Sequence, residues 1–251
     1  MKINLLIGII LVISKTGLAW THMGSNAYGW KEKKLTFYVN PTNCTLPESQ
    51  LYQVIDKALQ AWNGVTNSDL EVVLADTTAT DGDAQFRAKT ATQVPLILCS
   101  KNLGDYGNVD ADSILGFVPY FDENSEGYVN YSGLVLNAQP GALAELSQRT
   151  IGEIELVVGH EIGHVLGLGH TSDSDALMFF QLNKDFLLIT QDDQDGIAHL
   201  YPRNVIGSAL GCGSVHRDLT QVPYIGLAAS FILILLVLGI GRLWIRTEQP
   251  L

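Results

Sequence analysis

The run His160-Glu161-Ile162-Gly163-His164-Val165-Leu166-Gly167-Leu168-Gly169-His170, with Met178 eight residues further on, concentrates the side chains able to do chemistry. On an α-helix His160 and His164 stand one turn apart on the same side, where each can offer a ring nitrogen to one ion at about 2.0–2.1 Å. Glu161 is offset by about 100° around the helix, which sets it beside the ion rather than on it, the place of a general base. A helix continuing past His164 would carry residue 170 away. Gly167 is the natural stop, because glycine adopts the left-handed conformation of a helix end at little cost, and the chain can then turn and bring His170 back. Three neutral imidazoles leave a tetrahedral zinc ion one open position for water, the arrangement of a catalytic site rather than a closed structural one.

The pattern H-E-x-x-H-x-x-G-x-x-H followed by a methionine resembles the metzincin signature. The longer run HEIGHVLGLGHTSDSDALMF is similar to the matrixin, or matrix metalloproteinase-like, branch. TQDDQDGIAHLYP, over residues 190–202, resembles the last helix of that family, and KLTFYVN with DKALQAWNGVT resembles its opening more loosely. The likeness covers 34–203 in outline and 150–203 in detail. It implies a zinc-dependent endopeptidase. His160, His164 and His170 would be the metal ligands, with zinc-bound water as nucleophile and Glu161 as general base and then acid. It also implies that Met178 packs beneath the zinc without ligating it, that Asp175 helps fix the turn there, and that Phe179 to Leu188 border the specificity pocket.

Some departures from the vertebrate pattern stand out. No histidine occurs between His22 and His160, so the His-x-Asp pattern of a second, structural zinc is absent, as is a PRCGxPD-type cysteine switch. Thr171 stands where those enzymes usually have serine. His199 and His216 are read as ordinary polar residues, and His22 is left unassigned. Asp105, Asn108, Asp110 and Asp112, and again Asp122, Glu123, Asn124 and Glu126, form acidic loops. Such loops can gather oxygen ligands for Ca2+ or be solvated turns, and they lack EF-hand spacing.

The elements that must position these groups follow from pattern. KLTFYVN (34–40) alternates as a strand. Residues 47–62 place Leu51, Val54, Ile55, Ala58, Leu59 and Trp62 at helical spacing behind Pro47. Strands are expected at 70–74, 94–99, 114–120 and 128–136. The zinc helix is expected over 150–167, with Thr150 and Glu153 as a capping box, and a last helix from Thr190 to about Tyr201. That order is α+β. The family resemblance specifies a metzincin catalytic domain: a twisted, mostly parallel five-stranded sheet with one antiparallel edge strand bordering the substrate cleft, and three main helices.

Of the 251 residues, 47% are hydrophobic, ample for one core, and the net charge of −11 argues against a nucleic-acid partner. Residues 1–19 read as a signal peptide: Lys2, an apolar run of about eleven residues that is short for a span, and small residues Gly17 and Ala19 before the cleavage point. Tyr224 to Ile240 carries no charge and is followed by Arg242 and Arg246. It reads as a transmembrane helix with its C-terminal side in the cytoplasm. The expected organisation is signal peptide 1–19, catalytic domain 20–203, juxtamembrane linker 204–222, transmembrane helix 223–243 and a cytoplasmic tail 244–251. The catalytic domain would then act on protein or peptide substrates at the cell surface or in the periplasm, tethered to the membrane. A second reading takes Gly211-Cys212-Gly213 with the span and basic tail as a processed sorting signal. For Cys44 and Cys99 a disulfide and two buried free thiols are both open.

Overall fold

Alternate burial of Leu35, Phe37 and Val39 makes β1 (Lys34–Asn40) the strand on which the domain is built. The computed structural model describes residues 20–203, apart from 26–27, 182–183 and 185. The expected signal peptide, linker, membrane span and tail lie outside the described residues. Among those described, no helix is long and apolar enough to cross a membrane.

β1 pairs in parallel with β2 (Glu71–Thr78) on one side and β3 (Leu96–Ser100) on the other. β3 pairs in parallel with β6 (Val129–Asn137), in register Ile97 to Leu134. β4 (Gly116–Phe117) closes the edge antiparallel to β6, giving the order β2-β1-β3-β6-β4. This is the mixed sheet with an antiparallel edge that was expected, plus one strand that was not. β5 (Phe121–Glu123) also pairs antiparallel with β6. It runs into the turn Asn124–Gly127, closed by Asn124 N–H donating to Tyr128 O and by Gly127 at φ 87°. The expected strand 114–120 therefore shrinks to β4 at 116–117, and β5 follows beyond its end, because the chain leaves the sheet edge and re-enters it as a hairpin arm.

Both faces of the sheet are covered, which is why all five residues of β3 are buried. On one face lie α1 (Glu48–Trp62) and α3 (Ile151–Leu166), with α4 (Gln191–Leu200) joining the same core through Ile197 and Leu200. The six apolar positions read at helical spacing in α1 are its buried residues. Trp62, the last of them, donates from Nε1 to Gly159 O at 2.9 Å and ties α1 to α3. On the other face a five-residue helix, α2 (Asp83–Arg87), inserts Phe86 against Leu96, Leu98 and Val135, and the Phe86 ring stacks on Tyr131. Sequence periodicity did not reveal α2, since one turn is too short to show a period. Cys44 and Cys99 form a disulfide that ties the approach to α1 onto β3 and rules out two free thiols.

Candidate metal centre

The zinc helix begins as expected. Glu153 N–H donates to Thr150 Oγ1, and the Glu153 carboxylate accepts from Thr150 N–H at 2.8 Å, a reciprocal cap at the first turn of α3. The helix ends at Gly167, left-handed at φ 111°. Gly167 N–H donates to His164 O and Leu168 N–H to Gly163 O, the Schellman pair that closes a helix and reverses the chain. The reversal sends Leu168–His170 back across the last turn.

That reversal gathers the three histidines. Nε2 of His170 lies 3.3 Å from Nε2 of His160 and 3.2 Å from Nε2 of His164. Among the described residues this is the one group of three metal-ligating side chains brought within reach of a single ion. The spacing fits zinc: ligands at about 2.0–2.1 Å in a tetrahedron stand about 3.3–3.4 Å from one another. The tautomers fit as well. His160 Nδ1 donates to Leu177 O and His164 Nδ1 to Leu168 O, both at 2.7 Å, which leaves each Nε2 with its lone pair turned inward. Inward lone pairs at such separations repel unless a cation sits among them. Burial holds the rings neutral, as a ligand must be: it pushes His160 down to about 4 and His164 down to about 3, and lowers the more exposed His170 too.

Glu161 follows His160 on the helix and is half-buried. Desolvation pushes its carboxyl up to about 8, and among the described residues no hydrogen-bond donor engages it. A neighbouring dication acts in the opposite direction and draws the value down.

Met178 is buried under the helix. A Cβ at Gly163 would lie 2.3 Å from its sulfur, so glycine at the position before His164 lets the thioether approach this closely. Among the described residues the side chain of Asp175 makes no hydrogen bond to the turn that carries Met178. Asp175 is exposed, and its N–H donates to Asp173. The anchor is Asp193, fully buried at the start of α4. Its carboxylate accepts from Leu177 N–H at 2.8 Å, Met178 N–H at 3.0 Å and Thr190 N–H at 2.7 Å. The spacing Thr190-x-x-Asp193 was visible as a helix start, but its second role across the chain was not.

An amino-terminal strap supports the third histidine. Met23 N–H donates to Gly167 O, Gly169 N–H to Thr21 O, and Thr21 Oγ1 to the carbonyl of His170 itself. Trp20 N–H donates to Asp192 Oδ1, tying the strap to α4. His22 and His199 pack around the Trp20 ring; His216 lies outside the described residues. Among the described residues no three carboxylates of the acidic loops come within reach of a single ion. Asp105 and Asp122 face Arg87 and Lys89, Glu126 faces Lys31, and Asp110 accepts from Ser113 and Asp112 N–H. Their carboxylates already have partners, as in turns and surface ion pairs.

The matrixin family model matches residues 29–202. This chain belongs to the matrixin family. It is 27% identical over 177 residues to matrix metalloproteinase-27 of Tupaia belangeri, covering 69% of this chain and 30% of that protein. It is 32% identical over 120 residues to metalloendoproteinase 5-MMP of Arabidopsis thaliana, covering 43% and 32%. It is 26% identical over 180 residues to stromelysin-1 of Mus musculus, covering 68% and 32%. The matrixin thus spans about a third of the length of these curated relatives. Matrixins use a catalytic zinc, and the three gathered imidazoles of this one suit that ion in donor type and spacing.

Proposed function

We propose that this matrixin is a zinc-dependent endopeptidase that hydrolyses peptide bonds in extracytoplasmic proteins, with His160, His164 and His170 holding the metal and Glu161 as the general base and acid. The carrying observation is the tetrahedral spacing of three neutral imidazole nitrogens next to an unengaged carboxylate. Bound zinc would supply Lewis-acid chemistry, polarising a carbonyl and acidifying water. The chain's own residues do the rest. His160 and His164 hold their tautomers through Leu177 and Leu168. Glu161 takes a proton from the attacking water onto its carboxylate and returns it to the departing nitrogen. Its raised proton affinity, offset by the nearby cation, suits a group that must both accept and release a proton near neutrality. No covalent acyl-enzyme is required. The antiparallel edge strand β4 packs beside α3 through Gly116 and Val157, a position from which an extended peptide can be paired and held.

The same proposal includes export and a membrane tether. Support comes from the apolar run and small-residue cleavage point at 1–19 and the uncharged stretch 224–240 before Arg242 and Arg246. A disulfide in the domain agrees with an oxidising compartment.

The test is cleavage of casein and a mixed peptide library by the purified full chain in detergent, with zinc, with a chelator, and with zinc restored. Turnover lost on chelation and regained with zinc is expected. Stoichiometric zinc uptake with no cleavage of any peptide would overturn the reading. Protease protection of the chain in sealed vesicles tests the orientation.

A further inference from the structure

The helix face that carries the metal ligands continues toward the start of α3. Leu156 and Val157 precede His160 by about one turn, some 4.5–6 Å along the axis, and Glu153 lies a further turn back. With Leu115, Arg149 and Lys184 they line a cavity of about 460 Å³, within the range of about 300–1,000 Å³ typical of ligand pockets. Its walls combine apolar side chains with polar ones, and its charged groups are unequally matched. Glu153 spends one carboxylate oxygen on Thr150, and the other lies 3.6 Å from Arg149 Nη1. Arg149 donates from Nη2 to Leu143 O at 3.2 Å, and its Nε is buried without a partner. Among the described residues Lys184 donates to a neutral acceptor, the carbonyl of Asp175. Among the lining residues two cations thus stand with one carboxylate, which is already committed to the helix cap.

We propose that this cavity recognises one side chain of the bound peptide and selects a glutamate, with Arg149 and Lys184 as the specificity-determining residues; the proposal rests on the endopeptidase reading above. The methylenes of a glutamate would lie against Leu115, Leu156 and Val157, and its carboxylate would face the two cations. A leucine of similar length would desolvate Arg149 and Lys184 with nothing to pair them, and a glutamine would bring no charge.

The experiment measures kcat/KM of the zinc-loaded full chain on peptides that differ only by Glu, Gln, Leu or Lys, placed in turn at each position flanking the scissile bond. At one position Glu is expected to exceed Gln by about tenfold, and Leu by more. Lys184→Glu is expected to abolish or invert the Glu-to-Lys preference at that position alone, and Arg149→Gln to reduce the Glu-to-Gln ratio toward one. A role confined to supporting the fold would lower all substrates together and leave these ratios unchanged. Equal cleavage of Glu and Gln peptides at every position, an apolar preference throughout, or ratios unchanged in both variants would overturn the proposal while leaving the endopeptidase reading intact. Failure to cleave any peptide would overturn that reading, and the proposal with it.

Discussion

Asp193 and His160 grip opposite ends of one residue: Asp193 Oδ2 accepts the N–H of Leu177 at 2.8 Å, and Leu177 O accepts from His160 Nδ1 at 2.7 Å. His160 is therefore oriented from α4, 33 positions along the chain, without touching it. The same carboxylate holds the N–H of Met178 and caps α4 through Thr190. One buried carboxylate fixes His160, the Met178 turn and the last helix together.

That linkage makes Asp193 a sensitive position away from the metal. Asp193→Ala leaves three backbone N–H groups without their acceptor and should destabilise the fold by roughly 2–4 kcal/mol. Asp193→Asn keeps an acceptor but loses the charge and part of the bonding. Zinc affinity of the Asn variant should fall about 10- to 100-fold, as is usual when a group that orients a ligand is changed. Chelator competition measures it. Unaltered affinity would show that His160 is oriented without the Leu177 peptide.

Glu161→Ala should bind zinc as the parent does and lose about 10²–10⁴ in kcat, the range of general acid–base catalysis. Metal content by mass spectrometry and single-turnover cleavage report the two separately. A variant that keeps full activity would remove Glu161 from the mechanism.

The metal-free chain should show a peaked dependence of stability on pH. His160 and His164 titrate near 4 and 3 when folded, against about 6.5 unfolded, so between about 4 and 6.5 the unfolded state binds more protons and acid destabilises. Glu161, raised to about 8 from about 4.5, acts with the opposite sign over 4.5–8. The lowered histidines outweigh one glutamate below 6.5, so stability rises with pH there and falls above it. Urea midpoints from pH 4.5 to 8 check this. Glu161→Gln should steepen the acid limb and remove the fall above 6.5.

The Cys44–Cys99 bridge closes a long loop, with a sequence separation of 55 residues. Its removal by Cys44→Ala with Cys99→Ala should cost about 2–4 kcal/mol in unfolding free energy through the freedom returned to the unfolded chain. Denaturant unfolding of oxidised protein and the double variant compares them. Equal midpoints would mean the link adds nothing beyond the packing of β3.

Local rules carry across a few residues, and there the sequence was decisive. His160, Glu161 and His164 occupy neighbouring turns, so helical geometry alone puts two rings on one side and the carboxylate beside them. Thr150 with Glu153 and Gly167 set the ends of α3 by short-range bonds. Leu51 to Trp62 marked the buried face of α1 by period. What was not legible depends on contacts between distant segments. Asp193 looked like a helix-start acid until folding brought the Met178 turn over it. The strap at Thr21 and Met23, the β5 hairpin arm and the short helix behind Phe86 have no period or motif long enough to read. The cavity beside Arg149 and Lys184 exists only because three separate loops and α3 meet. Hydrogen bonds and cavities between remote residues are decided by how the chain packs as a whole, so only the tertiary structure could assign them.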